Sequence, residues 1–86
     1  MSIDEAIAEL KGREASTRFS RLLTICGVFF GQPRITRSHH IFKMKWSGKP
    51  FVNLQGVSGK AKSYQVKDVI EALEKLKELG GSDGEG

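Results

Sequence analysis

The sequence predicts one small α+β domain, with helices packed on one face of an antiparallel sheet of two or three strands. Three observations predict this class. Apolar residues recur at helical spacing near both ends of the chain, whereas apolar and polar residues alternate in the middle, as in strands. Turn residues separate the alternating segments, and a length of 86 residues suffices for one hydrophobic core. We therefore expect one face of the sheet to remain open.

Two helices are predicted in the first third of the chain. Ser2 and Glu5 form the pattern of a capping box at the start of the first helix. The buried stripe of this short helix is predicted to be Ile3, Ala6, Ile7 and Leu10. Ser16 or Thr17 is predicted to cap the second helix, and Gly27 is expected to end it. The stripe of the second helix is Phe19, Leu22, Leu23 and Cys26.

Residues 28–55 are predicted to form strands and turns. A short strand at Arg34–Thr36 precedes a longer alternating segment at residues 38–46. One face of that segment is predicted to carry His40, Phe42, Met44 and Trp46, and the other His39, Ile41, Lys43 and Lys45. A turn at residues 47–50 leads to a further strand at Phe51–Gln55, in which Val52 and Leu54 share a face.

The last helix has the clearest helical pattern in the chain. Ser63 is predicted to cap it. Its buried stripe is predicted to be Val66, Val69, Ile70, Leu73 and Leu76. Residues 80–86 have no large apolar side chain to bury, so we expect a disordered tail.

Charge is segregated along the chain. Residues 13–67 contain eleven Lys and Arg against a single acid, Glu14, whereas acids outnumber bases in residues 1–12 and 68–86. This basic block favours a polyanionic ligand such as RNA or DNA over a surface that is merely solvated. The sequence shows no membrane-length apolar run and no signal-peptide pattern, and its lone Cys26 cannot form an intramolecular disulfide. We expect a reduced, cytoplasmic protein that contacts no membrane.

The two adjacent histidines are predicted to have different roles. Neighbouring strand residues point to opposite faces, so His39 and His40 do not readily chelate one metal ion. His40 shares the apolar face and is expected to pack at the edge of the core with its ring N–H satisfied. His39 shares the open face with Lys43 and Lys45, where an imidazole can transfer protons near neutral pH while ammonium groups stabilise a phosphate. Neither a metal site nor a cofactor is predicted.

The other candidate side chains are less informative. Cys26 lies on a helical stripe and is predicted to be a small core residue. Trp46 is expected to pack in the core in preference to stacking a nucleic-acid base. Lys60 and Lys62 precede the last helix, whose first backbone N–H groups favour anions, so they either contact a phosphate or are simply solvated.

Three segments in this order resemble the HicA family, the toxins of bacterial and archaeal type II toxin–antitoxin systems. They are Ser-His-His-Ile-Phe within residues 37–43, Asn-Leu-Gln within residues 50–55, and Lys-Ser-Tyr-Gln-Val within residues 59–66. The resemblance spans residues 16–78. It implies a fold like the double-stranded RNA-binding domain, in the order helix–strand–strand–strand–helix. It also implies a metal-independent endoribonuclease that acts on mRNA and is inhibited by a HicB-like antitoxin.

The resemblance also implies the catalytic residue, because the family's catalytic histidine follows a Gly-Ser pair and His39 matches that position. Arg37 stands where the family has glycine. If that glycine serves a turn with positive φ, arginine either strains the turn or shifts it by one residue. On this reading residues 1–12 are an extra N-terminal helix, residues 13–79 are the HicA-like domain and residues 80–86 are the tail.

The predicted site therefore has one catalytic group and a set of RNA-binding groups. His39 is the predicted general acid or base. The predicted RNA contacts are Arg37, Ser38, Lys43, Lys45, Lys60 and Lys62, with Lys43 and Lys45 holding the reacting phosphate. Two alternatives stay open: a non-catalytic RNA-binding module of the same fold, and a domain that binds an acidic protein.

Overall fold

In the computed structural model, which describes residues 1–44, 46, 51–56 and 59–80, the elements follow the order that the sequence predicts: two helices, three strands and a final helix. The elements are α1 (Ile3–Leu10), α2 (Phe19–Phe30), β1 (Arg34–Thr36), β2 (His39–Lys43), β3 (Phe51–Gln55) and α3 (Ser63–Glu78). The three strands form one antiparallel sheet in the order β1-β2-β3. The predicted α+β class is confirmed.

The start of α1 confirms the predicted capping box. The backbone N–H of Glu5 donates to the Ser2 hydroxyl at 3.1 Å, and the backbone N–H of Ser2 donates to Glu5 Oε1 at 2.8 Å. The hydrogen bond from the Ser2 backbone N–H to the carboxylate, followed by the effect of the Ser2 side chain, lowers the pKa of Glu5. The stripe that follows is also confirmed, since Ile3, Ala6 and Leu10 are buried and Ile7 is half-buried.

Both predicted ends of α2 are wrong. Arg18 occupies the N-cap position without a side-chain cap, and the Thr17 hydroxyl instead donates to the Arg13 carbonyl oxygen at 2.8 Å. The helix passes through Gly27 and ends at Phe30, before Gly31 with its φ of 84°. The extra turn buries Phe29, which offsets the roughly 1 kcal/mol that a glycine costs inside a helix. The segment 28–30, predicted to begin the strand region, is therefore helical.

The sheet has one buried face and one exposed face. Phe42, Val52 and Leu54 point inward and are buried, and Phe42 lies directly opposite Val52. Strand β2 ends at Lys43, before the residue 46 predicted from alternation, although Met44 is still buried. Lys45 and the predicted turn at residues 47–50 lie outside the described residues.

Helix α3 packs its apolar stripe into the core. Lys62 is its N-cap and Ser63 its first helical residue, so the prediction of a Ser63 cap is wrong. Most of the predicted stripe is confirmed: Val66, Val69, Ile70 and Leu73 are buried, and Leu76 is half-buried. Within the predicted tail only Gly80 is described.

All three helices contribute to one hydrophobic core. Buried residues of α1, α2 and α3 pack together with those on the inner face of the sheet, and half-buried Trp46 packs against them. Helix α1 packs on α3, while α2 and α3 cover β2 and β3. Along the described part of the chain, we find no helix with the length and apolar character needed to cross a bilayer.

Candidate functional site

The exposed face of the sheet collects the polar and basic side chains of its strands. Cross-strand partners in an antiparallel sheet project to the same side, so the register defines one face. This outer face comprises Arg34, Thr36, His39, Ile41, Lys43, Phe51, Asn53 and Gln55. Residues 15–67 contain no Asp or Glu, so no carboxylate offsets its positive charge from within the sheet or its flanking segments.

The His39 ring lies on the outer face in contact with the neighbouring strand. Its Nδ1 is 3.3 Å from Asn53 Oδ1, across the diagonal of the β2–β3 ladder. An amide oxygen can only accept, so in this arrangement Nδ1 is the donor. In the neutral ring Nε2 then holds the lone pair and is oriented to take a proton.

His40 points to the inner face, as alternation predicts. Its ring meets the Phe19 ring in an edge-to-face arrangement, with 5.7 Å between the centroids and an angle of 70°. The predicted position at the edge of the core is confirmed, because the residue is half-buried there. Its Nδ1 is buried and has no hydrogen-bond partner among the described residues. The expectation that the ring N–H is hydrogen-bonded is therefore not met at that atom.

The β1–β2 turn places Arg37 in a conformation that suits glycine. Thr36 pairs with His39, so Arg37 and Ser38 form a two-residue turn. Arg37 has a φ of 56°, the only positive φ of a non-glycine residue in the described part of the chain. This conformation strains an arginine. The Ser38 carbonyl oxygen accepts from the backbone N–H of Gly56 at 3.4 Å, which joins the turn to the end of β3.

Lys60 and Lys62 lie near the end of the sheet that bears His39. The Gln65 side chain in the first turn of α3 donates from Nε2 to the Gln55 carbonyl oxygen at 3.1 Å. Gln55 is the cross-strand partner of His39, so this bond joins the start of α3 to the His39 end of the sheet. Both lysines are exposed, which leaves them accessible to a polyanion.

Lys43 lies at the opposite end of β2 from His39. Four residue steps along the strand separate their Cα atoms by roughly 13 Å, which is longer than the lysine side chain. The structure thus does not place Lys43 beside the imidazole. Lys43 can contact a phosphate farther along a bound strand, while Arg37 and Ser38 are the site residues adjacent to His39.

Two outer-face residues, Asn53 and Phe51, escaped the sequence prediction. Alternation around Val52 and Leu54 already places both on the open side of β3. What the sequence could not supply is the register, which sets Asn53 diagonally beside His39 and Phe51 opposite Lys43. The link between β2 and β3 has no two-residue turn that would define this register.

The cysteine and the candidate metal-ligating side chains contribute no second site among the described residues. Cys26 is fully buried, as its helical stripe predicts, and burial raises the pKa of its thiol to about 12. Among residues 1–44, 46, 51–56 and 59–80, no three His, Cys, Asp or Glu side chains converge on one point. Comparisons of the chain with protein-family models, curated proteins and solved structures find no match. We therefore infer the function from the chemistry of the outer face.

Proposed function

We propose that this chain is an RNA-cleaving toxin similar to HicA, a metal-independent endoribonuclease that acts on mRNA. The observation that supports this most is the His39 imidazole on a basic, carboxylate-free sheet face, with Nδ1 held by Asn53. The order α2–β1–β2–β3–α3 is compatible with a fold like the double-stranded RNA-binding domain, which we include in the proposal.

In the proposed reaction, His39 acts first as a general base. Nε2 removes the proton from a ribose 2′-hydroxyl, and the oxygen attacks the adjacent phosphorus. The bond from phosphorus to the 5′ oxygen breaks, and that oxygen takes a proton from solvent. The products are a 2′,3′-cyclic phosphate and a 5′-hydroxyl. This step changes no oxidation state and uses no metal ion.

The basic side chains bind the RNA backbone in this proposal. Arg37 and Ser38 contact the phosphate next to His39, and Lys60 and Lys62 contact the same end of the strand. Lys43 holds a phosphate at the other end of the outer face, and we extend this role to Lys45, which follows it in the sequence. A HicB-like antitoxin would inhibit the enzyme by covering this basic face with acidic groups.

RNA cleavage in EDTA by matched variants tests the proposed role of His39. His39→Ala should reduce the cleavage rate at least about 100-fold, because it removes the general base. Asn53→Ala should reduce the rate about fivefold, the value of one neutral hydrogen bond that orients the ring. Thr36→Ala is the control, since Thr36 is the cross-strand neighbour of His39 without a proposed role.

Two outcomes contradict the nuclease proposal. Full cleavage by His39→Ala would contradict the proposed mechanism. Loss of wild-type cleavage on adding EDTA would indicate that cleavage requires a metal ion. In cells, growth arrest on induced expression should disappear with His39→Ala and persist with Thr36→Ala.

One observation favours a second candidate, a non-catalytic RNA-binding module of the same fold. The described neighbours of His39 on the outer face are Thr36, Asn53 and Gln55, none of which is an acid or base near neutral pH. The cross-strand and hydrogen-bonded neighbours of the imidazole thus include no second proton-transfer group. This candidate predicts salt-sensitive RNA binding without cleavage and only a modest loss of affinity in His39→Ala.

A further inference from the structure

Phe51 is an aromatic residue exposed in an otherwise polar setting. It lies at the start of β3 on the outer face, with 53% of its surface accessible. Its cross-strand partner is Lys43, which is also exposed and has no ion pair among the described residues. An accessible ring beside an unpaired ammonium group offers a nucleic acid both a stacking surface and a phosphate contact.

The outer face continues from this pair to the imidazole. Half-buried Ile41 faces exposed Asn53 across the ladder, and Asn53 contacts the His39 ring. About 13 Å separates the Cα atoms at the two ends of β2, which exceeds the rise of one nucleotide several-fold. A strand that reaches from Phe51 to His39 therefore spans more than one nucleotide.

The charge of this face matches a nucleic acid backbone. Arg34 and Lys43 are exposed on this face, and the strands themselves contribute no carboxylate to it. The carboxylates that line a cavity together with Phe51, those of Asp68, Glu71, Glu74 and Glu78, belong to α3 on the helical side of the sheet. An acidic protein would also satisfy the charge, whereas a single-stranded nucleic acid satisfies the charge, stacks a base on the phenyl ring and forms hydrogen bonds with the amides. The combination of aromatic ring, amide and cation favours RNA as the occupant.

The geometry distinguishes single strands from duplexes. Bases inside a duplex are stacked on one another, so an aromatic side chain on a sheet cannot reach their faces. The proposed cleavage also requires the 2′ oxygen to line up with phosphorus and the leaving oxygen, and a single strand can adopt that alignment freely.

We propose that the outer face binds single-stranded RNA, with one unpaired base stacked on Phe51, its phosphate on Lys43, and the strand continuing over Asn53 to His39. This inference depends on the proposed RNA ligand and specifies its substrate class. It makes Phe51 a binding residue that selects single-stranded over double-stranded substrates.

Binding to non-cleavable oligonucleotides tests the inference. The probes are an unstructured 2′-O-methyl RNA of about twelve nucleotides and a duplex of the same sequence, measured by fluorescence anisotropy at one salt concentration. Wild type should bind the single strand more tightly than the duplex. Phe51→Leu should weaken single-strand binding about tenfold and change duplex binding less than about twofold, because only the ring is lost.

Tyr64→Leu is the matched control, because Tyr64 is a similarly exposed aromatic residue, 56% accessible, on α3 outside the sheet. Thermal unfolding of each variant confirms that it is folded at the assay temperature. Tighter duplex binding by wild type, or equal losses in Phe51→Leu and Tyr64→Leu, would overturn the inference. Because the probes cannot be cleaved, this result is independent of the His39→Ala cleavage test. Failure of that cleavage test would contradict the nuclease proposal and leave the binding inference standing.

Discussion

Three basic side chains of the helical layer are paired with carboxylates, whereas Arg34 and Lys43 on the described outer face of the sheet have no acidic partner among the described residues. Three ion pairs tie α1 to α2 and α3: Lys11–Glu74, Arg21–Glu9 and Lys77–Asp4. Among the described residues, Arg34, Arg37 and Lys43 have no ion pair. The acids that could neutralise them are confined to α1, Glu14 and the C-terminal part of the chain.

Backbone and apolar side chains show the same contrast. Helix α1 has a complete capping box, and the helices bury their stripes in the core. The sheet side contains a strained Arg37 and an exposed Phe51. Features that lower stability without a structural benefit are typical of functional surfaces. The difference indicates that the helical layer provides stability and that the outer face provides ligand contacts.

The largest expected effect is on the core beneath α3. Leu73 is fully buried, so Leu73→Ala should lower the free energy of unfolding by about 2–5 kcal/mol in urea titrations followed by circular dichroism. Lys43→Ala on the outer face should change it by less than about 0.5 kcal/mol and should weaken RNA binding instead. If Lys43→Ala destabilised the fold as much as Leu73→Ala, the division between the two regions would be wrong.

Gln65 joins the two regions, since it is buried to 1% exposure in α3 and bonds to the backbone of β3. Gln65→Ala should lower the free energy of unfolding by about 2–3 kcal/mol, through lost packing and an unpaired Gln55 carbonyl. It should also slow RNA cleavage, because the bond holds the strand end opposite His39. Leu73→Ala is the control: at a temperature where both variants are folded, it should leave cleavage unchanged. Equal cleavage by the two variants would contradict this linking role.

The sequence predicted most of the helical layer because its signals are local. The Ser2–Glu5 capping box and the stripe from Val66 to Leu73 depend on spacings within one helix, and both are confirmed. The end of α2 was mispredicted because two glycines compete there. The burial of Phe29, a tertiary effect, selects Gly31 over Gly27.

The candidate site was less predictable because it depends on pairing between distant segments. Alternation alone placed His39 outward and His40 inward, as the structure has them. The contact from His39 to Asn53 requires the β2–β3 register, and the separation of Lys43 from His39 follows from strand geometry. Sequence periodicity thus gave the faces, whereas contacts across strands came from the fold.

Arg37→Gly tests whether the outer face sacrifices stability for ligand contacts. Glycine adopts a φ of 56° without strain, so the variant should gain about 0.5–1 kcal/mol in free energy of unfolding. It should also bind RNA more weakly, because it loses one cation next to His39. Arg34→Gly in β1 is the control and should lower both stability and affinity, since glycine weakens a regular strand. A loss of stability in Arg37→Gly would show that the turn is not strained.

The smallest expected effect is on the surface ion pairs of the helical layer. Arg21 Nε and Nη2 each donate to Glu9 at 2.8 Å, and these bonds lower the pKa of Glu9 below its usual 4.5 despite partial desolvation. Because the pKa of Glu9 is lower in the folded state, the charge pair stabilises the fold fully above pH 4.5. This stabilisation is lost as the pH falls through the pKa of Glu9 in the folded state. Glu9→Gln should therefore lower the free energy of unfolding by about 0.5 kcal/mol at pH 7, less in 1 M salt, and by almost nothing near pH 2. Urea titrations of wild type and variant at the two pH values measure the difference. An equal loss of stability at the two pH values would mean that packing, and not the charge pair, accounts for the contribution of Glu9. RNA binding at pH 7 should be the same in wild type and Glu9→Gln.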